Sequence, residues 1–168
     1  FEGYFEPRPD NYKAQVFEML GRLGDSVPRG AELGYQLCYG TPAEEHLVMP
    51  KDAGILVELM NGIVGNVGRA VDYIHLPVPR HCTGNDFFLP FRDYRGSDVT
   101  KVYVGMIHHN DVAGDKKRIE VASRYIDNLG VASECGWGRA EPKTVASLLE
   151  SHRIAAETLA RLGSSQVR

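Results

Sequence analysis

Residues 101–108 read KVYVGMIH, a run in which two valines, a methionine and an isoleucine leave room for only one charge before the closing histidine. A short apolar run of this length, rich in β-branched residues and free of proline, is a strand. Working upstream, VDYIHLPV at 71–78 is a second run of the same kind. Pro77 and Pro79 place the end of its ladder, because proline has no N–H to donate. Further upstream AELGYQLCY at 31–39 is bounded by Gly30 and by Gly40-Thr41-Pro42, and downstream VASEC at 131–135 runs into Gly136-Trp137-Gly138-Arg139.

Helical patterns separate the strands. From Tyr12, Val16, Met19, Leu20 and Leu23 recur at helical spacing, with Asp10 as a cap and Gly24 and Pro28 as the stop. Between Asp52 and Val67 one face carries Ile55, Leu56, Leu59, Met60, Ile63 and Val64. Gly54, Gly62 and Gly65 each weaken that helix by about 1 kcal/mol relative to alanine. Lys116–Leu129 places Ile119, Ala122, Ile126 and Leu129 three and four apart, with Gly130 closing the helix, and a last helix opens near Glu141-Pro142 and runs to Leu162. Between the second and third strands lies a loop of about twenty residues, with His81, Cys82, Asp86 and the aromatic cluster Phe87, Phe88 and Phe91. Long ordered loops of this kind serve as lids or binding loops.

Strands beginning at 31, 71, 101 and 131 with helical spacers suit right-handed crossovers and a parallel sheet. Four such units could form an open doubly wound sheet, but no glycine-rich phosphate fingerprint follows the first strand. The expected fold is therefore α/β: four parallel βα units, the C-terminal half of a (β/α)8 barrel, in one domain spanning 1–168. Residues 1–30 supply an N-terminal segment and helix, 31–162 the four units, and 163–168 a polar tail. A barrel of this type closes with eight strands and about 250 residues. The first residue is Phe1 rather than methionine, and the expected complement is an N-terminal half-barrel upstream or a partner chain, with a second copy of this chain as the alternative.

Composition narrows the class. With 43% hydrophobic and 24% charged residues the chain has the make-up of a soluble globular domain. A net charge of −3 with mixed signs offers no basic stripe to a phosphate backbone, so nucleic acid is not an expected partner. No apolar run approaches the roughly 20 residues of a membrane span, which makes a cytoplasmic location the default expectation, with no membrane partner. Cys38, Cys82 and Cys135 are odd in number and widely spaced, which suits free thiols or metal ligands better than a disulfide framework.

Chemistry belongs at the C-terminal ends of the strands. Those ends read Gln36-Leu37-Cys38-Tyr39, His75-Leu76-Pro77, Ile107-His108-His109 and Glu134-Cys135-Gly136. Strict alternation puts Gln36 with Cys38, Tyr73 with His75 and Pro77, Met106 with His108, and Ser133 with Cys135, giving one inward set of two thiols and two imidazoles. Thiolate and imidazole are donors that zinc prefers, whereas a pair of buried cysteines is the alternative. Arg80 and Arg139 could hold a substrate carboxylate through the guanidinium fork, and Trp137 could wall the pocket. Glu134 could bind substrate or form a packing-layer salt bridge. His152 reads as a packing residue, His81 and Cys82 as part of a solvated loop, and His109 carries no assigned role.

The segments QLCY, IHLPVPR, MIHH and SECGWGR, in this order, resemble the last four strands of the cobalamin-independent methionine synthase and uroporphyrinogen decarboxylase superfamily, from about Ala31 to Arg139. The methionine synthases of that superfamily bind zinc and transfer methyl groups to thiols. The resemblance implies zinc on Cys38 and Cys135, with Gln36 standing where the family has a histidine and Pro77 where it has a glutamate. A full set of ligands would then need His75 or substrate atoms. It implies His108 as the proton donor and thus catalytic, with Gln36, Arg80, Glu134, Trp137 and Arg139 around the substrate. The expected function is a methyltransferase-like enzyme moving a methyl or related carbon group to or from a thiol or small acceptor. The alternatives are a metal-free decarboxylase-like enzyme acting on a carboxylated substrate, and a non-catalytic half-barrel that binds or assembles.

Overall fold

The structure is a computed structural model that describes residues 10–40, 48–138 and 140–165. Four strands, β1 (Gly34–Gln36), β2 (Tyr73–Pro77), β3 (Lys101–Ile107) and β4 (Leu129–Ser133), form one sheet in the order β1-β2-β3-β4. Every pairing is parallel. Sequential order without reversal is the topology of a singly wound sheet; a doubly wound one reverses direction at a switch point. The helices are α1 (Tyr12–Ser26), α2 (Gly54–Asn66), α3 (Asn85–Phe88), α4 (Val112–Ala122) and α5 (Val145–Ser165), with 3-10 turns at Leu89–Asp93 and Pro142–Thr144.

Register assigns the faces. In a parallel pair, residues opposite each other share a face, so Gln36, His75, Tyr103 and Gly130 line up on one side. Ile74, Leu76, Val78, Val102, Val104 and Met106 lie on the other, none more than 2% exposed, and they form the core with Leu56, Met60, Ile63, Ile119 and Ala122 from the helices. Tyr73 and Tyr103 on the first side are each 37% exposed, and their rings meet edge to face at 5.8 Å. Parallel sheets ordinarily carry cover on both faces; here one face is helix-covered and the other stands partly open.

Several boundaries differ from the sequence expectation. Strand 31–39 shortens to Gly34–Gln36, 71–78 to Tyr73–Pro77, and 101–108 ends at Ile107. The expected helix Lys116–Leu129 is instead α4 at Val112–Ala122, and β4 starts at Leu129 and ends at Ser133, before Cys135. Gly130 is thus a strand residue rather than a helix stop. The Tyr103 ring lies across it, and a Cβ there would lie 2.5 Å from the ring, so any side chain at 130 would have to push the ring aside. Asp10 makes no cap, since Asn11 precedes α1 without a side-chain bond, and the last helix continues to Ser165 through the expected tail. The long loop is a packed crossover rather than a lid: Phe87, Phe88 and Phe91 are at most 3% exposed, with Phe87 meeting Phe88 edge to face and Phe88 stacked on Phe91. Burying three aromatic rings organises 85–93 into α3 and a 3-10 turn.

The inward set of two thiols and two imidazoles does not form as alternation predicts. Met106, grouped there with His108, packs on the helix side, opposite to His75. A register shift between Gly105 and Ile107 then breaks the alternation just before His108.

A candidate acid–base site at the strand ends

The site is built around a buried cation. Asp111, Asp115 and Arg118 sit at helical offsets of four and three at the start of α4, on the side that faces the sheet. Arg118 is fully buried. Its Nε donates to the Met106 carbonyl at 2.9 Å, one terminal nitrogen donates to the Arg80 carbonyl, and the other donates to Asp111 Oδ2 at 2.6 Å and Asp115 Oδ1 at 2.5 Å. A buried guanidinium is tolerated because its donors find acceptors in this way. The same Asp115 oxygen accepts the His108 backbone N–H at 3.1 Å, so α4 is tied to the last turn of β3. Burial pushes the Asp115 carboxyl up. At Asp111 burial acts in the same direction, but the bond to Arg118 and its charge outweigh it and hold that carboxyl below its ordinary range.

His108 points its Nε2 at the Val78 carbonyl, 3.0 Å away. A carbonyl only accepts, so Nε2 carries the hydrogen and Nδ1 presents a lone pair. That lone pair faces Glu134 Oε2 at 3.7 Å. Burial, reinforced by the Arg118 charge, pulls the imidazole down to about 4, whereas burial pushes the Glu134 carboxyl up to about 7 against the pull of Arg118. The contact is an ion pair only if the imidazole is protonated, and both shifts oppose that state. Near neutral pH the site therefore holds a neutral imidazole and a carboxyl close to half-protonated. The proton available there sits on Glu134, not on His108.

The strand ends are joined across the sheet. His75 Nε2 reaches from β2 over β3 to the Ser133 carbonyl at 2.8 Å. Ser133 Oγ donates to the Cys135 carbonyl at 2.9 Å and accepts Trp137 Nε1–H at 3.0 Å. The Trp137 ring meets His152 edge to face at 5.0 Å. A cavity of about 300 Å³ opens here, lined by His108, Glu134, Cys135, Trp137, Glu141 and Leu148 among others. His109, which carried no expected role, lines it too.

Of the other expected site residues, Gln36 is exposed at the end of β1. Arg80 donates to the carbonyls of His109 and Asn110 at 3.1 and 3.2 Å and lies 3.7 Å from Asp111, so its guanidinium braces the loop after β3. Arg139 lies outside the described residues. Cys38 is exposed, and its sulfur accepts the Gly40 N–H at 3.2 Å. Cys82, expected in a solvated loop, is buried, with its sulfur 3.6 Å from His81 Nε2, and burial raises its thiol.

The resemblance implies zinc on Cys38 and Cys135, with His75 or substrate atoms completing the ligands. Among the described residues no three His, Cys, Asp or Glu side chains converge as a metal site. His75 donates Nε2–H to the Ser133 carbonyl, which leaves the lone pair on Nδ1.

Sequence reasoning missed Arg118, Asp111 and Asp115. The signal was a charged residue on an apolar stripe: Arg118 stands four before Ala122 and beside Ile119, both fully buried. Starting the helix at Lys116 left both aspartates outside it and hid the pattern.

Comparison with protein-family models, curated proteins and solved structures yields no match to this chain.

Proposed function

We propose that this chain is the acid–base half of a barrel enzyme that acts on a small organic molecule by proton transfer, without a metal, in the manner of the decarboxylase-like branch of the superfamily it resembles. The carrying observation is the Glu134–His108 contact, in which a carboxyl with a pKa of about 7 faces the lone pair of a neutral imidazole. A general acid–base group works best when its pKa lies near the operating pH, and such groups contribute roughly 10²–10⁴-fold in rate. Glu134 is the acid–base residue. When a carbon–carbon or carbon–heteroatom bond breaks and leaves its electron pair on the substrate, the Glu134 proton quenches that pair, and solvent reprotonates the carboxylate. His108 orients Glu134 while staying neutral, and the cavity beside Trp137 receives the substrate. A thiol-methyl transfer assisted by zinc would need three donors at one point, which Cys38, His75 and Cys135 do not supply among the described residues. In this reading the open sheet face, with Gln36, Tyr73, His75 and Tyr103, is the inner wall of an eight-stranded barrel whose other strands come from an N-terminal half-barrel or a partner chain.

The test needs no known substrate. Glutamate side-chain ¹³C resonances, with Glu134 identified by its loss in Glu134→Gln, should show one carboxyl titrating near 7. A Glu134 midpoint at the ordinary 4.5 removes it as an acid at neutral pH. Turnover is then sought with small carboxylic acids and thioethers in deuterated water, where Glu134→Gln should lose most C–H exchange.

A further inference from the structure

We infer that His75 is a positioning residue: from the open face of the sheet it clamps the Ser133 carbonyl and thereby aims Glu134 at His108. The inference rests on the reading of Glu134 above and adds a residue that touches neither the proton nor the cavity.

The geometry is specific. Ser133 is the last residue of β4, where its ladder with β3 ends. His75 lies two strands away, opposite Tyr103, which is opposite Gly130. An imidazole can reach from β2 to the end of β4 only if nothing stands on β3 between them and the β4 chain leans inward. Both conditions meet at Gly105. A Cβ at Gly105 would lie 2.7 Å from the Ser133 oxygen and 2.6 Å from the Glu134 Cα, so the chain at 133–134 rests directly on the bare backbone of β3. The register shift between Gly105 and Ile107 marks the same place. A carbonyl only accepts, so His75 donates Nε2–H to it in either protonation state of the ring. The clamp therefore does not open on titration of His75. From the held carbonyl the chain turns so that Glu134 meets His108, and Ser133 Oγ carries the hold onward to the Cys135 carbonyl and Trp137.

The chain contains one tryptophan, Trp137, so its fluorescence reports on this segment alone. In His75→Phe, which keeps a ring but donates nothing, emission should move to longer wavelength and acrylamide quenching should increase. The Glu134 midpoint should fall from about 7 toward 4.5 as the carboxyl gains water. His75→Gln, whose amide N–H can reach the same oxygen, should restore both readouts toward wild type. If His75→Phe does not fold, Gly105→Ala tests the same contact from below and should move both readouts in the same direction. Unchanged emission and an unchanged midpoint in a folded His75→Phe or Gly105→Ala protein overturn the clamp. A wild-type Glu134 midpoint at 4.5 with a Trp137 response intact sinks the acid–base reading while leaving the clamp standing.

Discussion

Replacing either member of the His108–Glu134 pair should tilt the dependence of stability on pH, in opposite directions. Each shift has its main cause in burial, with Arg118 next, so removing one partner leaves the other's shift in place. In the folded protein between pH 4.5 and 6.5, Glu134 holds a proton and His108 does not. In the unfolded chain, with ordinary values of 4.5 and 6.5, His108 holds one and Glu134 does not. Both states carry one proton, so the pair contributes no slope in wild type. In His108→Gln only Glu134 remains. The folded state then binds more protons, and stability falls as pH rises from 4.5 to about 7. At 1.36 kcal/mol per unit the total is about 3 kcal/mol. In Glu134→Gln only His108 remains, the unfolded state binds more protons, and stability falls as pH drops from 6.5 to about 4, again by about 3 kcal/mol. The side chains are 10% and 24% exposed, so solvent screening takes little from either figure.

Urea unfolding of wild type and both variants across that pH range gives the stability curves, and subtracting wild type cancels the slopes of every other group. The two difference curves should cross with opposite signs. Two flat difference curves, or two of the same sign, would refute the opposed protonation of His108 and Glu134 and with it the acid assigned to the site.

Three further outcomes follow from the same geometry. Arg118→Leu takes the buried cation from Asp111 and Asp115 and a donor from each of two carbonyls, and should cost on the order of 3–5 kcal/mol in urea unfolding, the range for breaking a buried ion pair; a loss under about 1 kcal/mol would show that the carboxyls find other partners. In thiol titration of the native protein Cys38 should react at once and Cys82 only on unfolding, because one is exposed and the other buried with a raised thiol pKa; prompt labelling of Cys82 would place it elsewhere. Light scattering should show mass rising with concentration, since the two sheet edges left unpaired among the described residues and the Tyr73–Tyr103 face invite association, and Tyr73→Asp with Tyr103→Asp should reverse it. A monomer at every concentration would mean that the open face has no partner to find.

How much of this was legible beforehand follows from what each kind of signal encodes. A strand buried on its helix side declares itself by composition alone, which is why 71–78 and 101–108 contain β2 and β3 whole. Composition says nothing of where the neighbour's register falls, and facing depends on register. Alternation counted along Met106 and His108 passes through the shift between Gly105 and Ile107, so residues two apart there do not belong to one continuous face. The end of β4 is harder still, because its course depends on Gly105, in a different strand, having no side chain, and on His75, in a third strand, supplying a donor. Neither residue carries that role in its local sequence. The buried ion network lay closer to the surface of the sequence: a residue as costly to bury as arginine, at a core position of a helix, implies acceptors within reach. Counting back three and seven from Arg118 finds Asp115 and Asp111. The helix must then begin at the first of them, as it does with Asp111 just before Val112, and its N-terminus is drawn against the end of β3. That is where His108 lies, so the charge on an apolar stripe points to the site more directly than the cysteines do.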